Sequence, residues 1–324
     1  MKVLISSMEV DKMYTCPMLV TSIEECVAKT GSSYCKVTMT DGVSKVTANY
    51  FQINRAAIEH LINKVCLMTI GVNMFNGNKT FKITNVTEAP DEKVEDFVKS
   101  APIKSEVMYD YIVTRLTECS TPLKEIALTL YRKNRENLLS WSAAKTVHHA
   151  EYGGLLYHTY RMVQACLAMS EIYTSLNADL LVVGAALHDI GKLKELTTEL
   201  GAADYTNNGV LLGHTILGIL MVQAEYQANP SAYDPEEYRL LMHMIASHHG
   251  KNEYGAPVTP STPEAVCLHL IDMLDSRIEI VEETLEGLQP GEHAPSNRFL
   301  DGAYVYSTVQ EKPAGDSSDE ALPY

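Results

Sequence analysis

The amino-acid sequence predicts a multidomain chain in which a small β-barrel is followed by an all-α helical bundle. Three observations predict this fold class. Most of residues 1–90 falls into short segments rich in Val, Thr, Ile and Tyr, which turn signals separate. The polar segment 88–95, EAPDEKVE, then interrupts this pattern with a proline and several charges. From residue 104 onwards, apolar residues recur at helical spacing.

Several strand segments and one hairpin define the predicted barrel. The strand segments are Pro17–Val27, Tyr34–Thr40, Val43–Tyr50 and Val65–Val72. Asn76-Gly77, between VNMF and KTFKITNV, is a strong signal for a hairpin turn. The segment Ile53–Asn63 interrupts the strands with a helical pattern. Four or five strands with a helix before the last hairpin fit a barrel of the OB type.

Aromatic and basic residues of this barrel are candidates for binding single-stranded nucleic acid. Exposed rings stack on bases, and nearby lysines neutralise phosphates. The candidates are Tyr34, Lys36, Phe51, Phe75, Lys79 and Phe81, with Lys82 close by in the sequence. The alternative is that most of these aromatic residues form the barrel core or cover its edges.

The charge balance limits the kind of nucleic-acid binding that the chain can support. The formal net charge of −15 argues against electrostatic capture over the whole surface. Residues 1–90 hold nine Lys and Arg against seven Asp and Glu, whereas the remainder holds 17 against 34. A polyanion would therefore meet less repulsion at the barrel, or at a bound cation, than elsewhere.

Cysteine usage and hydropathy predict a cytoplasmic protein without membrane contact. The seven Cys are scattered and form no CxxC pair, which is typical of reduced thiols. No apolar run approaches the roughly 20 residues of a membrane span. The N-terminal segment MKVLISSMEVDKMY is a poor secretory signal.

The part of the chain after the barrel divides into three predicted regions. Residues 91–120 form a linker and connecting helix, 121–308 a helical domain, and 309–324 a disordered acidic tail. The predicted helices occupy 104–119, 122–139, 143–173, 177–196, 208–228, 234–249 and 262–288. Several of them begin with a capping residue followed by proline, as at Asp234-Pro235 and Thr262-Pro263. The segment 199–206 is a short, extended connector.

Adjacent His188 and Asp189 follow the apolar run of a predicted buried helix within Val182–Leu196. Such polar groups are costly to bury without a partner. A divalent metal ion is one partner, because imidazole and carboxylate suit Mn, Fe, Co, Ni or Zn. The alternative is a capping Asp beside a hydrogen-bonded core His. Lys192, one helical turn beyond His188, either contacts a phosphate or is a solvated surface lysine.

Further His and Asp residues lie in apolar helical contexts, which favours a shared metal centre over unrelated core residues. They are His158, His214, His248, His249 and Asp272. Their separations along the chain place them on different helices, as in metal sites inside helical bundles. Ligation without Cys leaves positions open for water and phosphate oxygens, and a bound water loses a proton near neutral pH. His148-His149 either lines the same pocket or caps a helix.

The ordered pattern H…HD…D is the signature of the HD phosphohydrolase superfamily. The segments HHAEYGGLLYHT, LNADLLVVGAALHDIGK, YTNNGVLLGHTILG, SHHGKNEYGAPVTPSTPEAVCLHLIDMLDSR and RFLDGAYVY resemble YhaM-type (CMP-binding-factor-like) 3′–5′ exoribonucleases. Those proteins also carry an OB-type domain ahead of the HD domain. The resemblance covers roughly residues 10–308 and is strongest across 148–280.

This resemblance implies a role for each candidate residue. The residues that match the HD metal ligands are His158, His188, Asp189 and Asp272. His214 and His248 match the positions that bind a second ion, with Asp189 bridging the two ions. Asp189 and Lys192 are the implied catalytic residues, and His249 and His149 are candidates for a further ligand or a phosphate contact. Asp275 competes with Asp272, which is preferred because the final Asp usually precedes an apolar residue and a second acid. Asp275 with Arg277 then has a supporting or structural role.

The implied activity is that of a metal-dependent 3′–5′ exoribonuclease on single-stranded RNA, with single-stranded DNA as a further substrate. The implied cofactor is one or two divalent ions, Mn first and Fe, Co or Ni as alternatives, in a homo-oligomeric protein. The acidic helical half keeps a second hypothesis open, hydrolysis of a cyclic nucleotide, short oligonucleotide or nucleoside monophosphate. A third hypothesis is a nucleic-acid-binding module whose HD site is structural.

Overall fold

The first domain is a closed five-stranded β-barrel. The computed structural model of the protein describes residues 3–28, 31–75, 77–145, 151–200 and 202–308. The barrel strands are β1 (Met13–Val27), β2 (Ser33–Thr40), β3 (Lys45–Phe51), β4 (Val65–Phe75) and β5 (Asn78–Glu88). They close in the order β1-β2-β3-β5-β4, with β1 paired to β4 and β3 parallel to β5. Five strands in a closed barrel confirm the fold class predicted for this half and fit the OB type.

The alternation of side chains along the strands builds the barrel core. Cys35, Val37 and Met39 of β2 are buried at every second position, as a strand with one face inward requires. Leu19 of β1 belongs instead to a separate apolar cluster with Val65, on which a later part of the chain packs. The barrel therefore has a filled interior and one apolar patch outside that interior.

The helix predicted across residues 53–63 is shorter in the structure. It consists of α1 (Arg55–Ile58) followed by a single 3₁₀ turn at 59–61. The amide oxygen of Asn54 accepts the N–H of Ala57 at 3.0 Å and so caps the first turn. Asn63 then adopts a left-handed conformation with φ of 66°, which ends the helical segment before β4.

The second domain is helical and carries one short hairpin. Its helices are α2 (Ser105–Glu118), α3 (Lys124–Lys133), α4 (Arg135–Ser140), α5 (Gly154–Ile172), α6 (Ala178–Leu187), α7 (Lys192–Glu195), α8 (Asn207–Ala228), α9 (Pro235–Ser247) and α10 (Pro263–Leu285). The predicted caps are confirmed for α9 and α10, because the side chains of Asp234 and Thr262 accept hydrogen bonds from their first turns. The connector expected at 199–206 forms most of a hairpin of β6 (Leu196–Glu199) and β7 (Ala202–Tyr205).

Two predicted helices are divided in the structure. The segment 122–139 breaks at Asn134 into α3 and α4. The segment 177–196 breaks after α6, where the N–H of Ile190 donates to Leu187 and that of Lys192 to Asp189, three residues earlier in each case. These tighter turns replace the α-helical pattern at His188 and Asp189. The helix predicted at 143–173 begins at Gly154 as α5. Residues 146–150 and the predicted tail 309–324 lie outside the described residues.

Helix α6 lies at the centre of the helical core. All eight residues from Leu180 to Leu187 are buried. A helix that is apolar on every side needs neighbours on every side, which α5, α9 and α10 supply among others. The phenol of Tyr131 donates to the carbonyl of Ala186 at 3.1 Å and ties α3 to this helix. The central helix thus delivers its C-terminal end to a fixed point inside the domain.

The β6–β7 hairpin joins the helical domain to the barrel. Leu200 at its tip packs against the outer apolar cluster that contains Leu19 and Val65. The amide of Asn63 donates to the carboxylate of Glu199 at 2.5 Å. Because the hairpin connects α7 directly to α8, the segments on either side of it are anchored to the barrel through the same short stretch of chain.

Helix α8 has the length and composition of a membrane span, which the sequence did not predict. It is the single helix of this kind among the described residues. One such helix is a weak indication, because core helices satisfy the same criteria. Gly213 interrupts α8 with a non-helical conformation, and the next residue, His214, is one of the candidate ligands.

Candidate metal centre

The predicted ligands converge on one place, although they come from five separate elements. His158 lies on α5, His188 and Asp189 follow α6, and His214 lies on α8. His248 and His249 follow α9, and Asp272 lies on α10. Among the described residues they form two groups, His158 with His188 and Asp272, and His214 with His248 and His249. In each group the ligand atoms lie within 4.8 Å of one another.

The first group combines two imidazoles and one carboxylate. The Nε2 atoms of His158 and His188 are 3.1 Å apart. Asp272 Oδ1 lies 3.3 Å from Nε2 of His158. Two nitrogens and an oxygen that face one another at these distances are a donor set suited to a divalent transition metal.

The second group consists of three imidazoles. The Nε2 atoms of His214 and His249 are 2.9 Å apart. His248, which is 1% exposed, has an Nε2 atom that is buried without a hydrogen-bond partner in the described part of the chain. An orphaned nitrogen of this kind is costly to bury and is directed at the other members of its group. The observation fits a cation between the three rings.

Asp189 lies between the two groups. Its Oδ2 atom is 3.5 Å from Nε2 of His188 and 3.8 Å from Nε2 of His158. Its Oδ1 atom is 3.4 Å from Nε2 of His214 and 3.7 Å from Nε2 of His248. One carboxylate therefore offers one oxygen to each group, which is the arrangement needed to bridge two ions.

The orientation of four imidazoles explains why Nε2 faces the centre in each. Nδ1 of His188 lies 2.8 Å from the carbonyl of Ala185, and Nδ1 of His248 lies 2.7 Å from the carbonyl of Ile245. A carbonyl can only accept, so both Nδ1 atoms carry the proton and both Nε2 atoms are free to bind a metal. For His158 and His214 the Nδ1 partners are carboxylates rather than carbonyls, at 2.7 Å and 3.0 Å respectively.

Burial and neighbouring charges set the protonation of these groups. Burial, reinforced by His249, holds the pKa of His248 well below its usual range. Burial and His214 lower the pKa of His249 to about 4. For His158, burial opposes protonation, but hydrogen bonds to Asp272 and Asp275 outweigh it and raise the pKa to about 10. His248 and His249 thus offer neutral nitrogens, whereas the carboxylates around His158 concentrate negative charge that a cation would neutralise.

Lys192 lies inside the centre rather than on the surface. It is the first residue of α7, and its Nζ atom is 2.6 Å from Oδ2 of Asp189. Burial works against its charge, but the carboxylate of Asp189 raises its pKa. The pKa of Asp189 is lowered, because Lys192 and the surrounding histidines outweigh the effect of burial. A permanent positive charge therefore lies at the edge of the bridging carboxylate.

The two acids of α10 occupy different positions. Asp272 faces the first group, whereas Asp275 lies behind His158 and contacts its Nδ1 atom. Arg161 Nε also donates to Asp275, at 2.5 Å. Arg277, which the sequence analysis grouped with Asp275 in a supporting or structural role, contacts Asp301. The sequence alone gave no sign of Arg161, because it lies on a different helix from Asp275.

The sequence analysis also missed a carboxylate. Glu195, the last residue of α7, contacts Nδ1 of His214. Its position three residues after Lys192 placed it within the central stretch, but no local pattern connected it to a histidine 19 residues later. His149 lies outside the described residues.

The barrel candidates separate into exposed and buried residues. The rings of Tyr34 and Phe51 are stacked, with centroids 5.5 Å apart, and Phe51 is 46% exposed. Phe75 is 67% exposed at the end of β4. Phe81 is 8% exposed within the barrel core, so its proposed role in stacking bases is wrong. The ammonium of Lys79 donates to the carbonyl of Met8 at 2.8 Å.

Lysines border the stacked pair on the same face of the sheet. Lys82 Nζ lies 5.6 Å from the centroid of the Phe51 ring. In the strand register Lys36 pairs with Asn49, which pairs in turn with Lys82. Paired residues project to the same face, so both lysines lie on one row across β2, β3 and β5.

Comparisons with known proteins agree with this architecture. The family model of the HD domain matches residues 155–277. The 3′–5′ exoribonuclease YhaM of Bacillus subtilis is 31% identical over 91% of this chain and 95% of its own length. The 3′–5′ exoribonuclease YhaM of Shouchella clausii is 33% identical over 91% of this chain and 94% of its own length. No solved structure gives a significant match.

The chain is an HD-domain protein with an N-terminal β-barrel, and its helical domain carries a His/Asp centre. Both relatives are matched over nearly their whole length, so the likeness includes the barrel as well as the HD domain. The chain belongs to the YhaM 3′–5′ exoribonuclease family.

Proposed function

We propose that this protein is a metal-dependent phosphodiesterase that removes nucleotides successively from the 3′ end of single-stranded RNA. The observation that carries the proposal is the pair of His-containing groups bridged by Asp189, in a chain whose relatives are 3′–5′ exoribonucleases over nearly its whole length. Single-stranded DNA is a second substrate of the same chemical kind.

The proposed cofactor is one or two divalent transition-metal ions, with Mn²⁺ as the first choice and Fe, Co or Ni as alternatives. His158, His188 and Asp272 would hold one ion, and His214 and His248 the other, with His249 as a further ligand or a phosphate contact. Asp189 would be shared between them. The absence of Cys from both groups disfavours a structural zinc site. When bound, such ions polarise a phosphate and supply a water nucleophile at neutral pH.

The protein's own side chains would order the site around the scissile phosphate. Asp189 would link the two groups, because one of its oxygens faces each group. The ammonium of Lys192 is held beside that carboxylate and would bind a non-bridging phosphate oxygen. The Nδ1 partners behind the imidazoles keep the rings oriented while substrate enters.

The barrel would hold the single strand that the helical domain shortens. The stacked rings of Tyr34 and Phe51 supply a platform for bases, and Lys36 and Lys82 lie on the same face to neutralise phosphates. Phe75, which is exposed at the end of β4, would offer a further ring. Binding through a few rings and lysines suits a chain whose helical half is strongly acidic.

The decisive experiment is a time course with Mn²⁺ on single-stranded RNA labelled at its 5′ end, resolved at single-nucleotide spacing. The wild-type protein should produce a ladder that shortens progressively from the 3′ end. Asp189→Ala should abolish the ladder, because it removes the shared ligand from both groups. A ladder that persists in this variant would contradict action at the proposed centre.

The alternative is hydrolysis of a small nucleotide. The acidic helical half favours a small substrate over a long polyanion, which it would repel more strongly. This alternative predicts that RNA remains unchanged while a cyclic nucleotide, short oligonucleotide or nucleoside monophosphate is hydrolysed. Release of phosphate or nucleoside from these compounds, lost in Asp189→Ala, would identify this activity. Binding of RNA without any hydrolysis would instead favour a nucleic-acid-binding module with a structural HD site.

We also propose a cytoplasmic homo-oligomer. All seven Cys are free thiols, in keeping with a reducing compartment. Leu270, Leu274 and Ile278 form an exposed apolar stripe on α10 at intervals of four residues, which a second subunit would cover. Light scattering should give a mass above 35.9 kDa, the mass of one chain.

A further inference from the structure

His214 is held by two contacts to a single side chain. The main-chain N–H of His214 donates to Oε1 of Glu195 at 3.0 Å. Both carboxylate oxygens of Glu195 also lie 3.0 Å from Nδ1 of the His214 ring. The Glu195 side chain is 11% exposed, so this carboxylate is largely screened from solvent. One buried acid therefore holds both the ring and the backbone of a candidate ligand.

A glycine makes the main-chain contact available. Gly213 has φ of 69° and ψ of 160°, a conformation essentially restricted to glycine. In a continuous helix the N–H of His214 would donate to the carbonyl four residues earlier. The turn at Gly213 directs it to Glu195 instead. A Cβ on Gly213 would meet no described atom within 4 Å, so the backbone conformation and not lack of space requires glycine.

The backbone at the start of α7 also meets the backbone of α8 close to His214. Gly191 immediately precedes α7, and a Cβ there would overlap the carbonyl oxygen of His214. This close approach sets α7 against α8 through main-chain atoms. The distance between Glu195 and His214 is therefore determined by packed backbone rather than by flexible side chains.

We propose that Glu195 and Gly213 act together as positioning residues for the second group, which comprises His214, His248 and His249. Glu195 keeps the proton of His214 on Nδ1 and directs Nε2 toward Asp189 and His249, while Gly213 presents the main-chain N–H that fixes the carboxylate. The inference rests on the proposed function, in which this group binds a divalent ion. The first group has its own carboxylate partner in Asp275 and is independent of Glu195.

The test is Mn²⁺ binding to the full-length, metal-stripped protein, followed by the electron paramagnetic resonance signal of free Mn²⁺. His214→Ala identifies the binding step that belongs to the second group. Glu195→Ala should weaken the same step by about 10- to 100-fold and leave the other unchanged, because loss of a ligand's hydrogen-bond partner typically has an effect of that size. Gly213→Ala should weaken the same step although it removes no side chain.

Asp204→Ala is the matched control, because it removes an equal charge from the adjoining hairpin at a side chain that is 70% exposed. It should bind Mn²⁺ as the wild type does. Glu195→Gln keeps an oxygen that can accept the N–H of His214 but loses the charge, so its affinity should fall between those of the wild type and Glu195→Ala.

Wild-type affinity at both steps in Glu195→Ala and Gly213→Ala would overturn the proposal, as would equal weakening of both steps. If Glu195→Ala does not fold, Gly213→Ala decides alone, because it retains every side chain of the centre. If the wild type binds one Mn²⁺, the proposal requires that His214→Ala and Glu195→Ala both weaken that step. A wild type that binds no divalent ion would refute the metal-dependent function itself, which is a separate result from an unaffected second step.

Discussion

At the residue scale, the four inward-facing imidazoles are held by two kinds of partner. His188 and His248 contact main-chain carbonyls, which no substitution of the partner residue removes. His158 and His214 contact the carboxylates of Asp275 and Glu195, which substitution can remove. For one histidine of each group, mutagenesis can therefore separate the candidate ligand from the residue that orients it.

The two acids of α10 should differ in the severity of their loss. Asp275→Asn should lower kcat on RNA by about 10- to 100-fold, because His158 loses the charged partner of its Nδ1 atom. Asp272→Asn should lower kcat further, because this acid is itself one of the candidate ligands of the first group. The measurement is kcat on RNA labelled at its 5′ end, together with the metal content of each variant.

Asp301→Asn is the control for Asp272→Asn and Asp275→Asn, because Asp301 contacts Arg277 of α10 and none of the candidate ligands that the structure describes. It should retain wild-type activity. A greater loss in Asp275→Asn than in Asp272→Asn would reverse the assignment of the two acids.

Glu151 should make the stability of the protein depend on pH. It is buried, and burial together with nearby glutamates outweighs Lys99 and raises its pKa to about 7 from 4.5. The folded protein thus retains this proton to a higher pH than the unfolded chain, so the stability it confers falls as pH rises from 4.5 to 7. Glu151→Gln should exceed the wild type in free energy of unfolding by about 1 to 3 kcal/mol at pH 8 and match it near pH 4. Chemical denaturation at the two pH values measures this, and an equal difference at both would contradict it.

At the element scale, α6 is the helix on which the centre depends. It is buried along most of its length and ends at Leu187, directly before His188, so its packing positions the His-Asp pair. The tighter turns after Leu187 then direct Asp189 between the two groups. A substitution that weakens packing along α6 should therefore lower the free energy of unfolding even though every candidate ligand is retained.

Leu181→Ala should lower the free energy of unfolding by about 2 to 5 kcal/mol, because it leaves a cavity in a core where Leu181 is fully buried. The same change at Leu211 of α8, which is 79% exposed, should have an effect of less than about 0.5 kcal/mol. Denaturation midpoints of the two variants provide the comparison. Similar losses at both positions would show that α6 is not the packing centre.

At the scale of the whole molecule, the barrel and the helical domain should contribute separately to RNA processing. Phe51→Ala should weaken binding of long single-stranded RNA by about 1 to 3 kcal/mol, because it removes one ring of the stacked pair. Hydrolysis of a dinucleotide should remain unchanged, because the proposal assigns strand holding to the barrel and cleavage to the helical domain.

Binding can be measured by fluorescence anisotropy in the Asp189→Ala background, where RNA is not consumed. Tyr173→Ala is the control, since Tyr173 is an exposed aromatic residue at the end of α5, outside the barrel. If Phe51→Ala binds long RNA as tightly as the wild type, the stacked pair is not the strand-binding surface.

Local patterns predicted the parts of the molecule that depend on neighbours along the chain. Alternation and turn residues predicted the barrel strands, and caps predicted where α9 and α10 begin. The same patterns failed after α6, because an apolar run cannot reveal that the helix gives way to tighter turns at His188. Phe81 failed for a similar reason, since its side chain lies on the inward face of β5 and aromatic character alone does not determine the face.

The sequence by itself determined the order of the domains, the overall fold class and the residue types that could hold a metal. It did so because periodicity, caps and short motifs are properties of adjacent residues. The resemblance already favoured Asp272 over Asp275, but only the tertiary structure revealed the contacts that each acid makes and the parts played by Arg161 and Glu195. The contacts of Arg161 and His158 with Asp275 join residues more than 100 positions apart, and helix packing determines which side chains meet over such separations.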